Sequence, residues 1–177
     1  MDYKLVEKFL TRLRVQRFSE NTIENYKSQL IYFLKISNQY KPEDITDNQL
    51  EKFIIWLVNE KNIGQSYQKA MLATLKKFYK EIFNREVNLS HLYPKRKENK
   101  LPKFLTQNEI KKIIDITENL KHKTIITTIY SCGLRLSELL ELKISDIRSE
   151  QDCIVIRQSK GNKVRIVMLS PKLLDLL

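Results

Sequence analysis

Glycine and proline are scarce in this chain, three and four among 177 residues. So few breakers exclude a turn-rich all-β protein or a low-complexity one and favour a helix-rich globular fold. Cysteine is nearly absent as well. Cys132 and Cys153 make no CxxC pair, zinc-ligand spacing or disulfide framework, and the expected setting is a reducing cytoplasm. No apolar run nears the ~18–20 residues of a membrane span. The opening residues, MDYKLVEKFL, carry no apolar stretch of the signal-peptide kind. No membrane partner is therefore expected. Nor does any cluster of carboxylates suggest a two-metal nuclease, so no metal and no cofactor are expected.

Positive charge is what the chain has in excess. Lysine and arginine number 32 against 21 acids, a net charge of +11. A nucleic-acid partner is the leading explanation for such a chain, and it outweighs the bland rivals, an anionic membrane surface or plain solubility. The balance is +4 over residues 1–93, +3 over residues 94–102 and +4 over residues 103–177. The middle stretch, PKRKENKLP, has a proline at each end, no apolar periodicity, and the cations Lys95, Arg96, Lys97 and Lys100. It reads as an interdomain linker. Two basic domains on a basic linker suggest a clamp around a polyanion; the same pattern also suits a soluble tether.

Residues 1–93 read as helical. Asn21 and Glu24 are placed to cap a helix carrying Ile23, Tyr26, Leu30, Phe33 and Leu34 at 3.6-residue spacing. Thr46 and Gln49 form a capping box, with Ile45 and Leu50 positioned as its hydrophobic staple. The spacing predicts a further helix over 65–83, with Met71, Leu75, Phe78 and Ile82 on one face. Lys69, Ala73, Lys76 and Lys80 lie on the opposite face. Long cations around a small residue could follow a DNA backbone and touch its phosphates. A solvated lysine face has the same pattern.

Beyond the linker, Thr106 and Glu109 form a second capping box, with Leu105 and Ile110 as the expected staple. A helix through Ile110, Ile113, Ile114 and Ile116 follows, then another near 124–131 that Gly133 terminates. Leu136, Leu139, Leu140 and Leu142 restart a helix that fades by Ser145. The period then changes to two. Ile154 and Ile156, then Val164, Ile166 and Met168, alternate around Lys160-Gly161-Asn162-Lys163, which predicts a β-hairpin with Lys160 near its tip.

Arg135 is conspicuous in this half, standing between Leu134 and Leu136 just after Gly133. An arginine is almost never buried without a partner, because desolvating the guanidinium is expensive. One explanation is a helix-start ion pair with Glu138. The other is an anion that Arg135 awaits. Lys160, taken alone, reads as a solvated turn lysine.

Gly133-Leu134-Arg135-Leu136-Ser137-Glu138-Leu139, followed by a hairpin bearing K-G-x-K-x-R, resembles the tyrosine recombinase (phage integrase) family, and within it the Xer- and integron-type enzymes. The resemblance covers essentially the whole chain. It implies a mostly α fold with a small β-hairpin or sheet. Residues 1–93 would be a helical, SAM-like core-binding domain on DNA, residues 94–102 the linker, and residues 103–177 the first part of an α+β catalytic domain. It implies that Arg135 is the first catalytic arginine, Lys160 the hairpin lysine, and Glu138 the acid that supports the arginine. This hairpin reads Ser159-Lys160-Gly161 where many relatives have glycine before the lysine.

The chemistry of the residues agrees with that implication. Attack of a tyrosine on a phosphodiester builds charge on non-bridging oxygens, which a planar guanidinium can bind two-pronged. A hairpin lysine could protonate the departing 5′ oxygen. In the family the second arginine, its histidine partners and the nucleophilic tyrosine follow the hairpin. Here all eight tyrosines precede Lys160, as do His91 and His122, and the helix opened by Ser170 and Pro171 stops at Leu177. The expectation is an integrase fragment, or a shorter natural protein, that binds duplex DNA without cleaving it. The other reading is a stand-alone DNA-binding regulator or decoy derived from an integrase. The family works as a homo-tetramer on two DNA sites, which is the assembly expected of the full-length protein.

Overall fold

The structure is a computed structural model that describes residues 3–95, 103–157 and 164–177. It divides the chain into two compact units, Met1–Asn99 and Lys100–Leu177. The first holds four helices, α1 Tyr3–Val15, α2 Glu20–Ile36, α3 Asp47–Asn59 and α4 Gln65–Phe83. The second holds α5 Gln107–Ile116, α6 Leu120–Cys132, α7 Leu136–Leu140, strands β1 Ile147–Arg148, β2 Cys153–Ile156 and β3 Arg165–Met168, and α8 Pro171–Leu174. Mostly helical, with one three-stranded antiparallel sheet in the order β1-β2-β3, the architecture is the fold class that the sequence implied.

Each helix of the first unit buries a stripe. Val6, Phe9, Leu10 and Leu13 of α1 follow helical spacing and are buried against Ile23, Leu30 and Phe33 of α2, Leu50, Ile54 and Leu57 of α3, and Met71, Leu72, Leu75 and Phe78 of α4. Aromatic rings meet edge to face in this core, Phe9 on Phe78 at 5.6 Å and Phe33 on Phe53 at 5.1 Å. Among the described residues of this unit, the buried polar groups are satisfied. Thr74 donates to the side-chain oxygen of Gln29, and the Tyr79 hydroxyl donates to the Pro42 carbonyl at 2.9 Å. Burial pushes the Tyr79 phenol up, so it stays protonated as that donor.

Local signals were mostly kept. The Thr46 and Thr106 capping boxes both form, and Ile45 and Leu50 are buried as a staple requires. Leu105, by contrast, is 56% exposed, so the second box has no staple of the expected kind. The cap of α2 is Ser19, whose Oγ accepts from the Thr22 amide at 3.3 Å; this starts the helix at Glu20 and places Asn21 inside the first turn. Helix α6 begins earlier than expected, at Leu120, capped by Asn119. Gly133 ends it in the left-handed region, φ 57°, where a side chain would be strained. Helix α7 is only five residues long, and a single 3₁₀ turn at Ile144–Asp146 follows it.

Strands β2 and β3 of the expected hairpin pair antiparallel, and the apolar set named from spacing in β3 faces outward. Antiparallel pairing sets Ile154 against Val167 and Ile156 against Arg165. Cross-strand partners share a face. Ile154 and Ile156 therefore face the small core of Cys132, Leu134, Leu169 and Leu173 together with Val167 and Arg165. Val164, Ile166 and Met168 are exposed. The short strand β1 pairs Ile147 with Ile154 and had no sequence signal of its own.

The first unit's stability rests on its aromatic core. Phe78→Ala, at a position with no exposure, is expected to cost about 3–5 kcal/mol. Urea unfolding followed by far-UV circular dichroism measures it, and a loss below about 1 kcal/mol would contradict the packing described.

Candidate nucleic-acid and phosphate-binding site

Two basic features of the sequence can be placed on the structure. The first is the α4 stripe. Lys69 and Lys80 are exposed, and Lys76 and Ala73 are half-buried. Lys76, Lys80 and Ala73 line an open groove of about 600 Å³ with Tyr26, Lys77, Glu86, Val87 and Asn88. Lys69 and Lys76 make no ion pair among the described residues, while Lys80 reaches Glu86 at a loose 3.5 Å. A pair that long and exposed contributes almost nothing to stability. Lys77, next to the stripe, is occupied: it pairs with Glu81 at 3.0 Å and lies over the Phe18 ring at 5.2 Å. Arg85 is likewise structural, paired with Asp47 and stacked on Tyr79 at 5.1 Å. Lys95 is exposed; Arg96, Lys97 and Lys100 lie outside the described residues.

The second feature is the turn from α6 into α7. Gly133 releases the chain from α6, and Arg135 is the N-cap residue of α7. Its extended backbone (φ −74°, ψ 153°) turns the amide back toward Glu138. The Arg135 amide donates to Glu138 Oε2 at 2.8 Å, and its Nη1 donates to Oε1 at 2.8 Å. The Glu138 side chain has no solvent exposure, whereas that of Arg135 is 60% exposed. The acid is thus the enclosed partner, and the guanidinium it holds through Nη1 keeps most of its surface open to solvent. Lys160, the other expected site residue, lies outside the described residues.

A third group completes this site and was not among the residues expected there. Arg165 of β3 donates through Nη2 to Glu138 Oε2 at 2.8 Å and to the Gly133 carbonyl at 3.1 Å. Its presence follows from the strand phase: pairing with Ile156 turns it to the inner face, where Glu138 waits. The usable signal was the run Arg165, Val167, Leu169, which alternates inward as well as Val164, Ile166, Met168 alternates outward. The neighbouring turn repeats the design. Asp146, also buried, accepts the Lys143 amide at 3.1 Å and pairs with Arg157, just past β2. Lys143 and Asp146 have the same cap-to-third-residue spacing as Arg135 and Glu138.

Such surroundings act on the acids. The hydrogen bond from the Arg135 amide, then that from Arg165, hold the Glu138 carboxyl at about 2, far below its ordinary value. The Arg157 hydrogen bond pulls Asp146 down in the same way. Chemically, the turn presents one permanently charged planar cation to solvent on a rigid carboxylate mount, a geometry fit for an anion with two adjacent oxygens. Among the described residues no group of His, Cys, Asp and Glu could hold a metal ion, and no helix is long and apolar enough to cross a membrane. His91 pairs with Glu51 at 3.2 Å at the first unit's surface, and His122 is exposed in α6.

Comparison with known proteins places the site in a family. Residues 103–177 match the phage integrase family, and residues 5–89 match the phage integrase N-terminal SAM-like domain. The chain belongs to the phage integrase family, the tyrosine recombinases. It is 33% identical to tyrosine recombinase XerA of Pyrococcus horikoshii over 172 residues, 96% of this chain and 57% of that protein. It is 28% identical to an integrase/recombinase of Escherichia coli over 171 residues, 96% of this chain and 50% of that protein. Among solved structures, XerH site-specific recombinase in a pre-cleavage complex with its difH substrate is similar with a TM-score of 0.64 and 25% identity, covering 86% of this chain and 48% of that one. The chain spans about half the length of the integrases that it matches.

The depressed Glu138 value fixes a pH dependence. A carboxylate whose folded value lies below its unfolded one stabilises the fold fully above the unfolded value, and that contribution is lost as pH falls. The window runs from the ordinary value of 4.5 down to about 2. Melting temperature is therefore expected to drop across this window, and Glu138→Gln to flatten that part of the profile while lowering stability at neutral pH. An unchanged acid profile in the variant would contradict the arrangement.

Proposed function

We propose that this chain is the DNA-binding and arginine-presenting part of a site-specific recombinase, acting on duplex DNA. The observation that carries the reading is Arg135: a largely exposed guanidinium seated on a carboxylate that no solvent reaches. Family membership supports the chemistry assigned to it. Arg135 would bind two non-bridging oxygens of the scissile phosphate and stabilise the charge that develops there when a tyrosine attacks. Glu138 holds the arginine in place and does not touch the phosphate. Lys160 would donate the proton that the departing 5′ oxygen needs. Binding would come from both halves of the chain. Lys69, Lys76 and Lys80 would contact phosphates along α4, the last two from its groove, with Lys95, Arg96, Lys97 and Lys100 adding charge in the linker. Net charge of the same sign in residues 1–93, 94–102 and 103–177 supports a clamp around the duplex. A domain division at residues 94–102 and a homo-tetramer on two DNA sites are the corresponding proposals for the whole protein.

Binding is tested first. Log affinity for duplex DNA is expected to fall with log salt, at a slope near −0.9 per phosphate contact. Lys76→Ala with Lys80→Ala should weaken binding and reduce the slope by about 2 on that scale, uniformly over DNA sequences. A flat salt dependence would remove the clamp, and an unaltered double variant would return the stripe to a solvated surface.

Chemistry is tested on a nicked suicide substrate. All eight tyrosines precede Lys160, so the 177-residue polypeptide is expected to bind this DNA and form no covalent adduct, because electrostatic help cannot replace an in-line nucleophile. A covalent adduct formed by these residues alone would overturn that assignment. Binding with no loss of phosphate contact on Arg135→Ala would instead favour a regulator that uses only its basic surfaces.

A further inference from the structure

Strand β3 reaches into the turn that carries Arg135, and the reading of Arg135 as a phosphate-binding arginine leaves that contact unused. We propose that Arg165 is a positioning residue for Arg135: by tying the Gly133 carbonyl and the Glu138 carboxylate to β3, it fixes the turn that aims the Arg135 guanidinium. The inference rests on that reading of Arg135 for its functional meaning and on the turn's own geometry for its content.

The two acceptors of Arg165 bracket Arg135 in sequence. Gly133 precedes it by two residues and Glu138 follows it by three, and one nitrogen, Nη2, donates to both, at 3.1 and 2.8 Å. One contact on a carboxylate would be an ordinary ion pair. Two contacts on either side of the presented residue define the span between them. The carbonyl involved belongs to the left-handed glycine that ends α6, where the chain changes direction. The carboxylate is the one that receives both the Arg135 amide and the Arg135 side chain. Arg165 therefore holds the carbonyl and the carboxylate on either side of Arg135 and makes no hydrogen bond to Arg135 itself.

The contact demands an arginine. The two N–H bonds on Nη2 diverge at a fixed angle in the guanidinium plane. A lysine stem ends roughly one bond short of that nitrogen and spreads its protons in no fixed plane. Arg165 Nε is buried and has no hydrogen-bond partner among the described residues. Leaving a buried donor unpaired is costly, so the Nη2 contacts dictate the side chain's orientation over its own complete satisfaction. Arg157 provides a contrast from the same sheet. It holds Asp146 in the next turn and makes no hydrogen bond or ion pair with Gly133, Arg135 or Glu138. The sheet thus grips the helical segment twice, and only the Arg165 grip bears on Arg135.

The test uses the 177-residue chain and reads Arg135 directly by NMR. In Arg165→Gln and Arg165→Lys, exchange of the Arg135 amide should accelerate by at least ~10-fold, the scale of one lost charge-assisted hydrogen bond, and the Arg135 Nε–H should become as mobile as that of a fully exposed arginine. Lysine is expected to rescue neither. Arg157→Gln, which breaks the other grip, should leave both readouts unchanged. Should Arg165→Gln fail to fold, Arg165→Lys, which keeps the charge, supplies the reading. An Arg135 as ordered in the Arg165 variants as in the parent chain would overturn the proposal, and so would equal loosening in Arg157→Gln.

A second arm measures duplex DNA affinity in a double-variant cycle. If Arg165 acts only through Arg135, Arg165→Gln should weaken binding in the parent chain and have no further effect in Arg135→Ala. Additive losses would make Arg165 an independent contact and overturn the proposal. Should Arg135→Ala itself leave affinity unchanged, the phosphate role of Arg135 fails, while the NMR arm still decides whether Arg165 positions it.

Discussion

The Glu138 carboxylate is the constraint on which the second unit's site depends. Two arginines and one backbone amide converge on it, and its side chain is closed to solvent. A buried carboxylate without such partners would be expelled or protonated. With them it stays charged to about 2 and becomes a fixed point for both a turn and a strand. Of its two guanidiniums, that of Arg165 faces inward and that of Arg135 remains mostly outside. A rigid anion with one cation on each side converts a surface arginine into a directed one.

The two units meet different physical demands. The first is closed by an aromatic and aliphatic core in which four helices each bury a complete stripe, so its basic groove lies on a stiff backbone. Stiffness suits a surface that follows a regular polyanion, since charged side chains placed on a fixed helix face need little ordering when they bind. The second unit has a smaller core of Cys132, Leu134, Ile154, Ile156, Leu169 and Leu173. Polar latches, Glu138 to Arg165 and Asp146 to Arg157, take over part of the work of fixing its turns to its sheet. Leu136, Leu140, Ile144 and Met168 remain on its surface.

Both latches follow one rule. An acid three residues after the cap position accepts that residue's amide, then receives an arginine from the sheet. The bond within the turn constrains the carboxylate by itself, so the arginine's contact costs less additional side-chain entropy.

Much of this protein is determined by sequence alone, wherever the determining forces are local. Capping boxes at Thr46 and Thr106, the left-handed glycine at Gly133, the extent of α4 and the Arg135–Glu138 pair each depend on residues within one or two turns of one another, so spacing suffices to read them. Helix α1, with Val6, Phe9, Leu10 and Leu13 at helical spacing, was not among the helices expected. The tertiary structure alone decided the rest. In β3 both alternating sets of residues contain apolar members, so periodicity cannot choose the inner face; pairing with β2 chooses it, and turns Arg165 inward while leaving Ile166 and Met168 outside. That choice of register, which no local rule encodes, is what brings a second arginine to Glu138.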